Sequence, residues 1–241
     1  MGGVNLLAFD TATPATVVAV VSGAGRFEAR HDPEPGERPQ PAAQLLALAT
    51  RLLDDASLRF ADLDRIAVGT GPGTFTGLRI GVATARALAQ GTGAELVGVS
   101  TLRALAAAAD AQRTVLAVLD ARRGEAFVGG WRAGEQVVPP AAVTPALLGR
   151  IASGGADGPA PAARGAGAAP WLAVGDGAVR FREVLEPSGV TVPADGSPLH
   201  RVSALTIADL AAGAPPPGRD VVPEYLRLPD AEIALRERRA E

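Results

Sequence analysis

Apolar residues in the first half of the chain alternate between strand-like and helix-like spacing. Short runs of Val, Leu, Ile and Phe precede stretches in which leucine or alanine recurs every three or four residues, and this alternation is typical of an α/β fold. Turn residues separate the first two runs, which predicts a β-hairpin. The predicted strands are 4–10, 15–21, 65–69 and 95–99, and the predicted helices are 42–57, 76–90 and 102–109.

The second half repeats the opening pattern. A strand that ends in Asp10, a turn and a second strand have a counterpart in a strand that ends in Asp120, a turn and a further strand. This predicts two related lobes, residues 1–103 and 104–241. The second lobe carries a low-complexity insertion at 153–170, and we expect the C-terminal tail to pack back on the first lobe. The predicted elements of this half are strands 114–120, 125–131 and 171–175 and helices 178–185 and 203–212.

Composition excludes several classes of chemistry. The 241 residues include no cysteine, and every basic residue is arginine, so thiolate zinc sites, cysteine nucleophiles and lysine-based mechanisms are absent. The formal net charge of −3 disfavours RNA binding by this chain alone. His31 and His200 are far apart in sequence, so no paired-histidine metal motif exists. The sequence shows no signal peptide and no apolar run of membrane-spanning length, and we expect a cytoplasmic protein.

A glycine-rich segment at 69–81 is the strongest candidate for chemistry. It joins a predicted strand to a helix, where free backbone N–H groups and the helix dipole attract anions such as phosphate. It lacks the lysine of a P-loop. A tight structural turn capped by threonine explains the segment equally well. The candidate phosphate or nucleotide contacts here are Gly71, Gly73, Thr74, Thr76, Gly77 and Arg79.

Asp10 and Thr11 form the second candidate site. An aspartate at the end of a first strand, before hydroxyl residues, suits a metal or a phosphate, but it also suits a turn closed by its own side chain. Asp120 with Arg122 presents the same alternatives in the second half. A free-standing ATPase or kinase-like enzyme would use a magnesium ion near Asp10, and its only candidate adenosine loop is 175–177.

The first predicted helix is apolar over a wider surface than one core-facing stripe requires. Leu45, Leu48 and Leu52 form one row, and Leu46, Ala49 and Leu53 form another. The helix is therefore either buried deeply or contacts a partner as well as its own core. A simple homodimeric module would use the same surface.

Several segments resemble one known family. The segment Gly71-Pro72-Gly73-Thr74-Phe75-Thr76-Gly77-Leu78-Arg79-Ile80-Gly81 is similar to the hallmark of the bacterial tRNA threonylcarbamoyladenosine biosynthesis proteins called TsaB or YeaZ. The segments 6–13, 97–102, 120–125 and 223–227 resemble other parts of that family. The similarity covers most of the chain outside 153–170.

The resemblance implies a fold and a role. The fold is that of two ribonuclease-H-like lobes in the actin-like, Hsp70-like ATPase superfamily. The role is that of a non-catalytic subunit that binds and supports the catalytic paralogue TsaD, in an assembly that synthesises threonylcarbamoyladenosine (t6A) in tRNA. A TsaE-like ATPase joins the assembly, tRNA is met only through the complex, and members also self-associate. No cofactor is expected for this chain alone, and ATP or ADP with Mg²⁺ would belong to the shared interface.

The resemblance also implies an interface built from the first two helices. We expect its contacts to come from Leu45, Leu48, Leu52, Leu78, Val82 and Ala85. Family members often begin the first helix with a His-Ser-Glu-like sequence, whereas this chain has Arg38-Pro39-Gln40-Pro41 there. Polar contacts from that position are therefore not expected here.

Overall fold

The structure is a computed structural model that describes residues 4–34, 36–37, 39–109, 112–154, 171–214 and 221–227. No helix in these ranges is long and apolar enough to cross a membrane. The strands are β1 (Leu6–Asp10), β2 (Thr16–Ser22), β3 (Gly25–His31), β4 (Arg65–Gly69), β5 (Glu95–Val99), β6 (Thr114–Asp120), β7 (Ala126–Arg132), β8 (Glu135–Val143) and β9 (Leu172–Val174). The helices are α1 (Pro41–Asp55), α2 (Phe75–Thr92), α3 (Thr101–Ala107), α4 (Pro145–Ser153), α5 (Asp176–Arg180), α6 (Arg182–Leu185) and α7 (Ala204–Ala212).

The first sheet has five strands in the order β3-β2-β1-β4-β5. The predicted hairpin is confirmed, because β1 pairs antiparallel with β2, while β4 and β5 extend the sheet in parallel. Strand β3, which was not predicted, lies at the edge of the sheet and buries only Ala29 fully. Arg30 and His31 are the last residues of this strand.

The second sheet repeats the order of the first without a fifth strand, as β8-β7-β6-β9. This shared order confirms two related lobes and the ribonuclease-H-like fold of the actin-like, Hsp70-like ATPase superfamily. Strand β8 and helix α4 were not predicted from the sequence. Pro139 and Pro140 lie within β8, and they are tolerated because β8 is an edge strand with one side free of ladder hydrogen bonds.

Helices lie between the sheets and on both outer faces. Helices α1 and α2 cover the outer face of the first sheet. Helices α4, α5 and α6 cover the outer face of the second. Between the sheets, α7 packs on β1 and β2 and α3 packs on β6 and β7, in one core shared by both lobes.

Helix α7, the last helix in the described part of the chain, is therefore packed on the first sheet. On β3, Glu28 Oε1 accepts hydrogen bonds from Ser203 Oγ (2.8 Å) and from the Leu205 N–H (3.1 Å) at the start of α7. Residues 221–227 also contact the first lobe, where Val221 accepts from Arg86 and the Glu224 N–H donates to Thr70. The predicted insertion at 153–170 falls mainly outside the described residues, as do the proline-rich stretch at 214–219 and the charged residues from 231.

Candidate functional site

The glycine-rich segment turns from β4 into α2, as the sequence predicts. Helix α2 begins at Phe75, and Thr74 precedes it in an extended conformation. The Thr74 side chain makes no capping hydrogen bond, so the predicted threonine cap is wrong at this position. Thr74, Thr76 and Arg79 are exposed, whereas Gly71 and Gly77 are buried.

The glycines bring this turn against the turn between β1 and β2. A methyl group on Gly73 would overlap the Ala12 carbonyl, and one on Gly77 would overlap the Thr11 carbonyl. The Thr74 N–H donates to the Ala12 oxygen at 2.7 Å, and Thr11 Oγ1 donates to the Gly77 oxygen at 2.8 Å. The first turn of α2 is thus packed against the chain itself at these positions. Close packing accounts for Gly73 and Gly77, and anion binding by this segment stays a prediction.

Asp10 is fully buried beneath the same turn. Its Oδ1 accepts the Ala12 N–H at 2.7 Å, and its Oδ2 accepts the Thr101 hydroxyl at 2.6 Å. Burial raises the pKa of the Asp10 carboxyl above its ordinary value, although these hydrogen bonds oppose the shift. Both carboxyl oxygens are engaged within the chain, which makes Asp10 a poor ligand for Mg²⁺. The described residues contain no group of three or more His, Asp or Glu that could hold a metal ion.

The equivalent turn in the second lobe is more open. Asp120 Oδ1 accepts the Arg122 N–H at 2.8 Å, which repeats the contact of Asp10 with Ala12. The other oxygen lies 3.5 Å from Arg122 Nη1 and 3.4 Å from Arg180 Nη1. The loop at 175–177 adds Asp176, whose Oδ1 accepts the Asp120 N–H at 3.1 Å. Both turns are therefore closed by an aspartate side chain, which was one of the two predicted alternatives.

Tyr225, which lies in the 223–227 segment that resembles the family, packs on the first turn of α2. The Arg79 guanidinium lies 3.7 Å from the centre of the Phe75 ring, and the Phe75 and Tyr225 rings are 5.5 Å apart. Arg79 Nε also donates to the Tyr225 hydroxyl at 3.4 Å. The 223–227 motif could be seen in the sequence. Its contact with Arg79, 146 residues away from Tyr225, could not be identified from sequence alone.

Five of the six residues expected at a partner interface are buried in the isolated chain. Leu48 is half-buried, and the others are at most 3% exposed. A side chain that is buried in its own fold cannot contact a partner directly, so the choice of these five residues is corrected here. The buried residues are Leu45, Leu52, Leu78, Val82 and Ala85.

Comparison with known proteins gives consistent matches. A family model described as TsaD, tRNA N6-adenosine threonylcarbamoyltransferase, matches residues 38–166. The uncharacterized protein Rv3421c of Mycobacterium tuberculosis is 36% identical over 239 residues, which cover 95% of this chain and 94% of that protein. The tRNA threonylcarbamoyladenosine biosynthesis protein TsaB of Escherichia coli is 34% identical over 126 residues, which cover 51% of this chain and 53% of that protein.

A solved structure extends the match over nearly the whole fold. YeaZ from Pseudomonas aeruginosa superimposes with a TM-score of 0.73 at 28% identity, covering 93% of this chain and all of that one. The hallmark segment, the topology and these relatives agree, and the chain belongs to the TsaB (YeaZ) family, within the wider family whose model carries the TsaD description.

Proposed function

We propose that this chain is the non-catalytic partner subunit of a t6A-synthesising assembly, where it binds and supports a TsaD-like catalytic paralogue. Its family supports a role in t6A biosynthesis. In the same proposal a TsaE-like ATPase joins the pair, and tRNA is bound only through the complex.

The state of the Asp10 site supports a supporting role over a catalytic one. The Asp10 carboxyl is buried and shared between Ala12 and Thr101, and the turn above it is packed against α2. A magnesium-dependent phosphoryl transfer would need this carboxylate charged and open to the ion. The described residues offer no such open carboxylate at the end of β1.

The partner is proposed to bind the outer, solvent-facing sides of α1 and α2. Both helices pack on the same face of the first sheet and contact each other, so their solvent sides form one surface. On α1, Leu46 is 45% exposed and is flanked by exposed alanines at 43 and 47. On α2, Ala83 and Ala87 are exposed one turn apart. Small residues around one exposed leucine permit close helix-to-helix docking.

The test is complex formation with the co-expressed catalytic paralogue, measured by size-exclusion chromatography with light scattering. We expect wild type to form a stable complex, and Leu46→Glu and Ala83→Arg each to weaken it at least about tenfold, or ~1.4 kcal/mol. Both positions are exposed, so each variant should remain folded by circular dichroism.

Val4→Glu is the matched control. Val4 is also an exposed apolar residue, 57% accessible, but it lies near Asp64 and Glu95, beside the C-terminal end of α2. It should leave the affinity unchanged. Equal loss in all three variants would argue against the two-helix surface, and no complex with wild type would refute the proposed function and make ATP turnover by this chain the next measurement.

A further inference from the structure

The segment Val221–Arg227 begins on the first lobe, where it is fastened to α2 and β4. Arg86 Nη2 of α2 donates to the Val221 carbonyl at 2.7 Å, and the Val221 side chain is buried in the core beneath α1 and α2. Three residues later the Glu224 N–H donates to the Thr70 carbonyl at 2.7 Å. Burial raises the pKa of the Glu224 carboxyl, and the neighbouring Ser100 hydroxyl, immediately before α3, opposes that shift.

The middle of the segment holds the first turn of α2. The Tyr225 ring packs beside Phe75, and its hydroxyl accepts from Arg79, whose guanidinium stacks on the Phe75 ring. Three planar groups from two distant parts of the sequence are thus stacked on one helix end. Such stacking depends on orientation, so a displacement of Tyr225 would also release Arg79.

The end of the segment reaches the second lobe. Leu226 packs against the core shared by the two lobes. Arg227 Nη1 lies 3.0 Å from Glu125 Oε2, one residue before β7. The two side chains are 20% and 35% exposed, so water screens this ion pair less than it screens pairs on the open surface.

The segment also forms one wall of the groove between the lobes. Glu224 lines a groove of about 420 Å³ opposite Trp131 and Gln136 of the second lobe. Ser100 and Arg103, at the start of α3, line the same groove. A change in the position of the segment would therefore alter both the helix end at Phe75 and the width of this groove.

We infer that Val221–Arg227 is an interlobe strap that couples the first turn of α2 to the position of the second lobe. This inference rests on the proposed function only because α2 forms part of the proposed partner surface. Coupling requires a physical element that both sites bias, and the strap contacts α2 at Arg86 and at its first turn and contacts the second lobe at Glu125. The hydrogen bonds to Val221 and Glu224 and the ion pair between Arg227 and Glu125 are local contacts, which can open well below the free energy of global unfolding.

The experiment removes the second-lobe contact and observes α2. We expect Arg227→Ala, in the isolated full chain, to speed amide hydrogen exchange in peptides of the α2 first turn about fivefold, the change that corresponds to ~1 kcal/mol of lost local stability. Peptides around Glu125 should respond similarly. The charge exchange Arg227→Glu with Glu125→Arg should restore protection at both places.

Arg26→Ala provides the control. Arg26 also pairs with an acidic residue far along the chain, Asp209 at 2.8 Å, but both are about half exposed. This variant should leave exchange at the α2 first turn unchanged. Faster exchange confined to residues 225–227 in Arg227→Ala, with the α2 first turn unaffected, would overturn the strap. Because no partner is present, this result is independent of whether the proposed complex forms.

Discussion

The carboxyl group of Asp10 and the hydroxyl group of Thr101 form a 2.6 Å hydrogen bond in the interior of the protein. The bond joins the end of β1 to the first residue of α3, the helix that packs on the second sheet. Thr101 Oγ1 in turn accepts the Gly71 N–H at 3.1 Å, and the Thr101 N–H donates to the Gly71 carbonyl at 2.7 Å. Through Thr101, one buried carboxyl is therefore linked to both the glycine-rich turn and the start of α3.

Asp10→Asn should change how stability depends on pH. The folded pKa of Asp10 is raised above its ordinary value of 3.8 by burial, so its favourable contribution is complete below that value and is lost as pH rises through the folded pKa. The free energy of unfolding of wild type, relative to Asp10→Asn, should therefore fall as the pH rises above about 4 and through the folded pKa of Asp10. Urea denaturation at several pH values measures this difference.

Asp32→Asn is the control of opposite sign. A hydrogen bond from Arg30 lowers the pKa of Asp32, so its contribution is present above 3.8 and is lost only as pH falls through the lower folded value. Its difference from wild type should be flat between about pH 5 and about pH 8. A flat profile for Asp10→Asn as well would contradict a raised pKa for Asp10.

Gly77→Ala should destabilise the fold by at least about 1–3 kcal/mol, because the added methyl group would overlap the Thr11 carbonyl and force the two turns apart. Gly91→Ala, in the last turns of the same helix, has no atom within 4 Å of the new methyl group. It should stabilise the protein by up to about 1 kcal/mol through helix propensity. Thermal denaturation of both variants checks the pair, and equal effects would mean that close packing does not explain Gly77.

The sequence was sufficient to predict the alternation of elements, both hairpins and the two lobes, because these depend on local apolar spacing and on turn residues. It could not assign the leucines of α1. Leu45 and Leu46 are adjacent and identical, yet one is 1% exposed and the other 45%, because the orientation of the helix on the sheet depends on tertiary packing. Edge strands β3 and β8 were missed because they lack a continuous apolar run.

The contacts of the tail were equally inaccessible from sequence. Phe75 lies in the 71–81 segment and Tyr225 in the 223–227 segment, and no spacing rule predicts a contact between residues so far apart. Asp10 was predicted as a candidate site residue. Its hydrogen bonding depends on Thr101, which lies 91 positions away, next to the predicted helix 102–109. The sequence pattern therefore located the candidate residues, and only the fold showed which groups are hydrogen-bonded to them.

Leu45→Ala and Leu46→Ala should separate the core from the surface of α1. Leu45 is buried against the first sheet, so its truncation should cost about 2–5 kcal/mol of unfolding free energy. Leu46→Ala should change it by no more than about 0.5 kcal/mol. Chemical denaturation of the isolated chain gives both values. A large loss for Leu46→Ala would show that its side chain is packed within the monomer, and the two-helix surface would then need a different centre.

Glu28→Ala should loosen α7 from the first lobe. Glu28 accepts hydrogen bonds from Ser203 Oγ and from the Leu205 N–H, so it satisfies a free donor at the start of the helix and places negative charge at the positive end of its dipole. Its loss should cost about 1 kcal/mol, whereas Glu28→Gln should cost less because the amide oxygen can still accept.

Arg26→Ala on the same strand provides the comparison, since it removes only the exposed pair with Asp209 and should cost well under about 1 kcal/mol. Hydrogen exchange of peptides from α7 distinguishes the cases. Glu28→Ala should raise exchange there because the first turn loses its acceptor, while Arg26→Ala should not. If Glu28→Ala, like Arg26→Ala, left exchange in α7 unchanged, α7 would be held by apolar packing against β1 and β2 alone. The attachment of α7 to the first lobe would then not depend on Glu28.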